Sequence, residues 1–376
     1  MVTTSNHVTR VPREGASPVP ISVVMAVRDE AGNVGAALDS LAQQTYPVEA
    51  LELIVVDGRS EDATVDEVVA WSRAHPDVRL RVLDNPRRLQ AAAFNIGLCE
   101  ASAEMIFIMS SAHGEIDHDY IEKLYAAMSD DESIWVAGGH SRATGRTRWG
   151  DAVARAISSP FALGAPAWRM GTSDADVDHV GYGLYRRHAF DAAGNFSEDL
   201  VINEDYELTY RIRRAGGRVR LVADAQARYL TRDTPRGLIR QYWTYGVYKA
   251  LMLVRNPASA KLRHLAPAAF VATIVLLACA SLRRGGQVTR RLTAALVSVY
   301  GAAVGVAARR ACSDDMSMVA PTSAAIALMQ LLYGAGNLFG LVRALSQMRA
   351  HSTENVPAPG APADGERVVY AREPPR

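Results

Sequence analysis

The chain has 376 residues, with 41 Lys and Arg against 40 Asp and Glu and a formal charge of +1. That balance excludes the strong basic excess of a general nucleic-acid binder. Three widely separated cysteines with no CxxC pair support neither a disulfide framework nor a cysteine zinc site.

Residues 1–19 are polar and Pro-containing, which predicts a flexible start. They lack the continuous apolar segment of a secretory signal, so the first folded domain is expected on the cytoplasmic side. Short apolar runs then alternate with helical patterns. Strands are expected at 21–27 (ISVVMAV), 51–56 (LELIVV), 79–83 and 105–109. Helices are expected around Val34, Ala37, Leu38 and Leu41, around Val65, Val68 and Val69, and over 91–98. Alternation at this pitch implies parallel strands joined by right-handed crossovers, hence an open α/β sheet. Ligands of such sheets bind outside the carboxyl ends of the strands.

Residues 138–178 are rich in Gly, Ser, Thr and Arg and read as loops or an insertion. A strand is expected at 180–185 and a helix at 206–214, closed by Gly216 and Gly217. Residues 235–255 form an amphipathic helix, suited either to a membrane surface or to packing on the preceding domain. Three apolar runs follow at 265–282, 292–308 and 319–345, each close to the length that spans a ~30 Å hydrocarbon core. The tail, 351–376, is rich in Pro, Ala and Glu without periodicity and is expected to be disordered.

Three acidic clusters stand where chemistry is expected. Asp57-Gly58-Arg59-Ser60-Glu61-Asp62-Ala63-Thr64 follows the second strand. Asp62 there is accounted for as a helix N-cap, whereas Asp57, at the carboxyl end of a buried strand, is suited to accept hydrogen bonds from a base or sugar. Arg28-Asp29-Glu30 follows the first strand in the same way, serving the helix dipole or approaching a ribose or diphosphate. Asn203-Glu204-Asp205 reads as an N-cap with first-turn acids, and equally as a general base with an orienting neighbour. No GxGxxG follows a strand, and Gly181-Tyr182-Gly183 lacks the third Gly, which disfavours a dinucleotide oxidoreductase.

These clusters in this order make residues 20–255 resemble the family 2 glycosyltransferases, inverting enzymes of GT-A fold, and in particular their succinoglycan-type exopolysaccharide branch. The segment 57–64 is similar to the family's Asp-x-x-Ser-x-Asp-x-Thr stretch. Ala91-Ala92-Ala93-Phe94-Asn95-Ile96-Gly97 is similar to its Ala-x-x-x-Asn-x-Gly helix, and Glu204-Asp205 to its Glu-Asp motif. Arg240-Gln241-Tyr242-Trp243, with Tyr245, Gly246 and Lys249, is similar to the aromatic, Gln-containing motif beyond.

The resemblance implies a GT-A-like open sheet of mostly parallel strands flanked by helices, followed by C-terminal membrane helices. It implies a nucleotide-sugar donor, UDP-linked, contacted by Arg28, Glu30, Asp57 and Asn95. Asp205, beside Glu204, would be the base, and Arg240, Gln241, Tyr242 and Trp243 would form the acceptor or diphosphate region. The acceptor would be a lipid-linked glycan or growing polysaccharide at the cytoplasmic face of the cell membrane. The family carries Asp-x-Asp after the fourth strand, where this chain has Ser110-Ser111-Ala112-His113-Gly114-Glu115. The expected divalent metal, Mn²⁺ or Mg²⁺, is therefore left with His113, and with Ser111 and Glu115 as further candidates. Imidazole suits Mn²⁺ better than Mg²⁺. A catalytically impaired homologue acting as a binding or assembly partner is the second reading. A transporter is disfavoured because the apolar runs carry no interior charge. The expected divisions are 20–234 for the glycosyltransferase domain, 235–260 for an interfacial helix and 261–350 for two or three membrane helices.

Arginine placement tests the topology. If 265–282 crosses outward, Arg283, Arg284, Arg290 and Arg291 lie outside, against the positive-inside bias. If that run is re-entrant, these four stay inside and only Arg309 and Arg310 lie outside, which is the arrangement expected. In a variant whose sole cysteine replaces Gly286, a membrane-impermeant thiol reagent should leave intact cells unlabelled. Labelling there would show that the first run crosses.

Overall fold

In the computed structural model, residues 17–110, 112, 114–164, 166–282, 286–351 and 369–370 are described. The first half alternates as expected: β1 (Ile21–Val27), α1 (Val34–Ala42), β2 (Leu51–Asp57), α2 (Thr64–Ala74), β3 (Arg79–Asp84), α3 (Gln90–Glu100) and β4 (Met105–Met109). Then come β5 (Gly114–Ile116), α4 (Tyr120–Ser129), β6 (Ile134–Thr144), α5 (Arg148–Ile157), α6 (Pro160–Leu163), α7 (Ala167–Met170), β7 (Ala175–Asp176) and β8 (Gly183–Arg186). The remainder is α8 (Arg187–Ala193), α9 (Glu204–Arg214), β9 (Arg218–Leu230), α10 (Pro235–Arg255), α11 (Leu262–Ser281), α12 (Gln287–Ala311) and α13 (Val319–His351). Val369–Tyr370 pairs antiparallel with β3, while residues 1–16, 352–368 and 371–376, on which the expected flexible ends fall, lie outside the described residues.

The sheet runs β3-β2-β1-β4-β8-β6-β9-β5, with β7 against β9. Strands β3, β2, β1 and β4 are mutually parallel. β1 and β2 are mostly apolar and almost wholly buried because helices cover both their faces, with Ser22, Glu52 and Asp57 the polar exceptions. Beyond β4 the sheet is mixed: β8 runs antiparallel to both β4 and β6, and β6 returns parallel to β9. The mixed sheet, with its parallel pairs in the first half and at β6–β9, fits the expected GT-A-like open sheet flanked by helices.

The stretch 138–178, expected as loops, is ordered. Its first residues continue β6, where glycine is a packing requirement. A Cβ on Gly138 would lie 2.5 Å from Val180 Cβ, and one on Gly139 would lie 2.1 Å from the Ala225 carbonyl oxygen. Gly217 N–H donates to the Ile212 carbonyl (3.0 Å) and Gly216 takes φ 100°, so the left-handed close of α9 is as expected.

Three helices are long and apolar enough to cross a membrane: Leu262–Ser281, Gln287–Ala311 and Met316–Ser346. Only 11% and 17% of the first two apolar windows are covered by protein, against 39% of the third. The third is the scaffold on which α10 lies. Glycines permit the approach: added Cβ atoms at Gly246, Gly336 and Gly340 would meet the carbonyl oxygens of Tyr333, Trp243 and Val247 at 2.2, 2.4 and 2.4 Å. On its other side α10 packs Met252 and Leu253 against Leu200 and Tyr206. The helix at 235–255 is therefore packed along its length between the sheet domain and α13.

Helix α3 sits equally close to β1, since a Cβ at Gly97 would lie 2.2 Å from Val24 Cγ1. Gly97→Ala should therefore cost ~1–3 kcal/mol by overpacking, read as a lower melting temperature. Gly35→Ala, in α1 where nothing lies within 4 Å, should instead leave stability unchanged or raise it by up to ~1 kcal/mol.

Candidate active site

The loops after β1 and β2 are laced together by the acidic motif. Ser60 N–H (3.2 Å) and Oγ–H (2.6 Å) donate to Asp57. Asp29 N–H donates to Ser60 Oγ (3.0 Å), Glu30 N–H to Thr64 Oγ1 (2.7 Å) and Ala31 N–H to Asp62 Oδ2 (3.1 Å). In return Glu61 N–H donates to Asp29 Oδ1 (2.9 Å). Asp62 also accepts from Thr64 N–H (3.0 Å), but Ala63 occupies the N-cap of α2 and no side chain caps it, so the N-cap expected of Asp62 is replaced by a local turn just before the helix. Ser60, Asp62 and Thr64 are thus lacing residues, and they present Arg28, Glu30 and Asp57 along one edge. Asp57 is 9% exposed, with accepting capacity left beyond Ser60. Asp29, Arg59 and Arg88, one after each of β1, β2 and β3, have φ of 54°, 56° and 57°. Left-handed backbone at non-glycine residues is costly and clusters at functional sites.

Asn95 is differently occupied. Its Nδ2 donates to the Phe196 carbonyl (3.0 Å) and to Glu198 Oε1 (2.9 Å), and its Oδ1 accepts from Phe196 N–H (3.0 Å). It holds the loop at 196–198, where Arg87 also pairs with Glu198.

The second centre is at the start of α9. Asn203, expected as an N-cap, makes no side-chain cap and instead adopts φ 71°. This turn sets Glu204 and Asp205 side by side in different surroundings. Glu204 is 4% exposed, and burial, then the neighbouring charge of Asp205, push its carboxyl well above the usual range. The Asp205 side chain is 31% exposed, and its Oδ2 lies 3.3 Å from His179 Nε2. Burial works to raise Asp205, but His179, its own backbone hydrogen bond to Tyr206 N–H and the charge of Lys249 outweigh it and hold the carboxyl below the usual range. One carboxyl is therefore pushed up and its neighbour held down.

His179 did not stand out in the sequence, whereas Lys249 did so only as a member of the aromatic, Gln-containing motif, with no role assigned. His179 lies in the stretch before β8, with its ring edge-on to Trp168 (centroids 5.6 Å apart, 80°). Lys249 comes from α10, with its Nζ 3.8 Å from the Tyr206 ring centroid. Next to His179, Asp178 binds Lys261 and, through Oδ2, Arg263 Nη2 (2.8 Å), with Arg213 at 3.9 Å from Oδ1. Burial opposes this charge, and the cations still hold the Asp178 carboxyl low.

On α10, Gln241 Nε2 donates to Tyr229 Oη (3.1 Å) and Tyr245 Oη (3.0 Å). Tyr242 is buried, Arg240 is exposed and Trp243 stacks obliquely on Phe339 (5.6 Å). Through Lys249 the same helix reaches the acid pair.

Of the expected metal ligands, Ser111 and His113 lie outside the described residues. Glu115 pairs with Arg228 Nη1 at 3.3 Å, and among the described residues no three His, Cys, Asp or Glu side chains converge. The described residues alone do not fit a divalent ion.

Against known proteins, residues 22–194 match the family model described as glycosyl transferase family 2. The succinoglycan biosynthesis protein ExoA of Rhizobium meliloti (strain 1021) is 31% identical over 250 residues, 66% of this chain and 74% of that protein. A dolichyl N-acetyl-alpha-D-glucosaminyl phosphate 3-beta-D-2,3-diacetamido-2,3-dideoxy-beta-D-glucuronosyltransferase of Methanococcus voltae is 24% identical over 62% of this chain and 74% of its own. The mannosyltransferase PcManGT from Pyrobaculum calidifontis, solved in complex with GDP-Man and Mn²⁺, shares the fold. Its TM-score is 0.61 at 20% identity, over 87% of this chain and 90% of that one.

Lys249 yields a test that needs no substrate. Burial lowers its pKa from 10.5 to about 7. Between these values the unfolded chain binds a proton that the folded one has released, so stability rises with pH across that window. The melting temperature of the protein, relative to that of Lys249→Met, should climb from pH 7 to pH 9. A constant difference would show that Lys249 is not buried as described.

Proposed function

The chain belongs to glycosyltransferase family 2, and from that premise we propose that it transfers a sugar, with inversion, from a UDP-linked donor to a lipid-linked or growing glycan at the cytoplasmic face of a membrane. It is a glycosyltransferase acting on a nucleotide sugar. The observation that carries the finer reading is Asp205, a carboxyl held below the usual range beside a Glu204 pushed above it, with 31% of its side chain still open to solvent.

In this reading Arg28, Glu30 and Asp57 take the nucleoside at the β1–β2 edge. Asn95 acts at one remove, by fixing the loop of Glu198. An acceptor hydroxyl gives its proton to Asp205 as its oxygen attacks the anomeric carbon. The bond from that carbon to the donor phosphate breaks on the opposite face, and the nucleoside diphosphate leaves with the bonding electrons. Burial and the neighbouring Asp205 push the Glu204 carboxyl up, which lessens its repulsion of the approaching diphosphate. Arg240, Gln241, Tyr242 and Trp243 line the acceptor side, where α10 joins the sheet domain to α13. The three apolar helices anchor the protein, with the division between enzyme and membrane region near residue 261.

A divalent ion, Mn²⁺ in preference to Mg²⁺, belongs to this reading by resemblance. It would be held by His113 with Ser111, while Glu115 is engaged by Arg228. No step above depends on it.

Donor turnover by the purified full-length protein tests the reading. Asp205→Asn should retain nucleotide binding and lose transfer by the ~10²–10⁴-fold of general-base catalysis. Retention of more than about a tenth of the rate would remove Asp205 from that role. Wild-type activity should fall on chelation and return better with Mn²⁺ than with Mg²⁺. Activity indifferent to chelator would exclude the metal, and nucleotide binding without turnover by the wild type would favour the impaired homologue.

A further inference from the structure

Arg169, on α7, is placed as few guanidinium groups are. Its central carbon lies 4.2 Å from the centroid of the Trp168 ring and 5.3 Å from that of Tyr229. Its Nε and Nη1 are buried, and among the described residues neither has a hydrogen-bond partner. That leaves three N–H donors unsatisfied on a group that is always charged. Other arginines are engaged by acceptors: Arg186 and Arg187 donate to backbone carbonyls, and Arg263 is bound by Asp178. Leaving a charged donor buried without a partner costs several kcal/mol, and native structures seldom leave such groups idle.

The surroundings select what would satisfy it. Aromatic faces on two sides hold the plane of the guanidinium and exclude water without neutralising it. Tyr245 accepts from Gln241, so its hydroxyl keeps its own proton for a further acceptor. A planar cation with free N–H groups, beside a hydroxyl donor, is complementary to the oxygens of a phosphate. The location is equally specific. Trp168 stacks edge-on against His179, and His179 contacts Asp205, so Arg169 is separated from the base by two side chains.

We propose that Arg169 is a diphosphate-binding residue of this site, taking either the diphosphate of the donor or that of a lipid-linked acceptor. The assignment of a diphosphate rests on the transferase reading; the unsatisfied cation does not. Arg169 thereby supplies positive charge on the α10 side of the base, where the described residues gather no metal ligands.

Calorimetric titration of the full-length protein in detergent, with chelator present so that no ion bridges, is the direct test. Inorganic pyrophosphate should bind the wild type. Arg169→Gln should weaken it at least tenfold, and Arg169→Lys, which keeps the charge and loses the planar donors, should fall between. Melting temperatures identify a misfolded variant; if Arg169→Gln fails in that way, Arg169→Lys carries the comparison. Weaker UDP and GDP with unchanged uridine and guanosine would identify the donor diphosphate. Unchanged nucleotide affinity with an acceptor KM raised at least tenfold would identify the lipid-linked one. Pyrophosphate that fails to bind the wild type, or binds the variants equally well, overturns the proposal even if transfer is observed. Arg169-dependent pyrophosphate binding without any transfer leaves it standing and removes the transferase reading instead.

Discussion

An ionised carboxylate taken largely out of water must be matched by positive charge or it takes up a proton. Asp205 and Glu204, adjacent in the chain, meet the two halves of that rule. Glu204 turns into the protein, and its carboxyl is pushed well above the usual range. Asp205 faces His179 and Lys249, and its carboxyl is held below the usual range. Both follow the left-handed residue Asn203, at the start of α9. His179 and Lys249 arrive from distant elements, one from the stretch leading into β8 and one from α10. The ordered segment between β6 and β8, and the close seating of α10, are therefore conditions for the state of a single carboxyl group.

Local features of the sequence translated well. The runs that became β1, β2 and β4 are buried on both faces, so their hydrophobicity is nearly continuous, whereas β3, RLRVLD, is only partly buried; the Gly216 close of α9 is a strictly local matter. β9 was harder to read. Its thirteen residues, Arg218–Leu230, carry three arginines and alternate irregularly in burial, since one strand serves β6, β5 and β7 at different points. β6 was obscured because Gly138 and Gly139, ordinarily signs of a turn, are required there by the crossing of Val180 and Ala225.

The candidate site divided in the same way. Asp57, Glu204 and Asp205 stood out because acids after strands and at a helix start form compact patterns. Yet the most conspicuous motif, 57–64, spends Ser60, Asp62 and Thr64 on holding two loops together, and Asn95 is spent on a third. His179 and Arg169 gave no sign, and Lys249 stood only as the last member of the 240–249 motif with no role attached, since each is a basic residue whose meaning comes from a partner far along the chain. A signal did exist for His179, which directly follows an acid and precedes a strand, but spacing alone could not connect it to Asp205.

Asp178 adds a further condition. It is bound by Lys261 and Arg263, at the threshold of α11, and is joined by one peptide bond to His179, which contacts Asp205. Cutting the chain before residue 261 to obtain a soluble catalytic fragment would strip Asp178 of both partners and deprive the α10 lysine-bearing turn of the α13 surface on which it rests. The boundary between enzyme and anchor is thus one of sequence only, and excising the domain for crystallisation or grafting it onto another anchor would have to carry this ionic hinge with it.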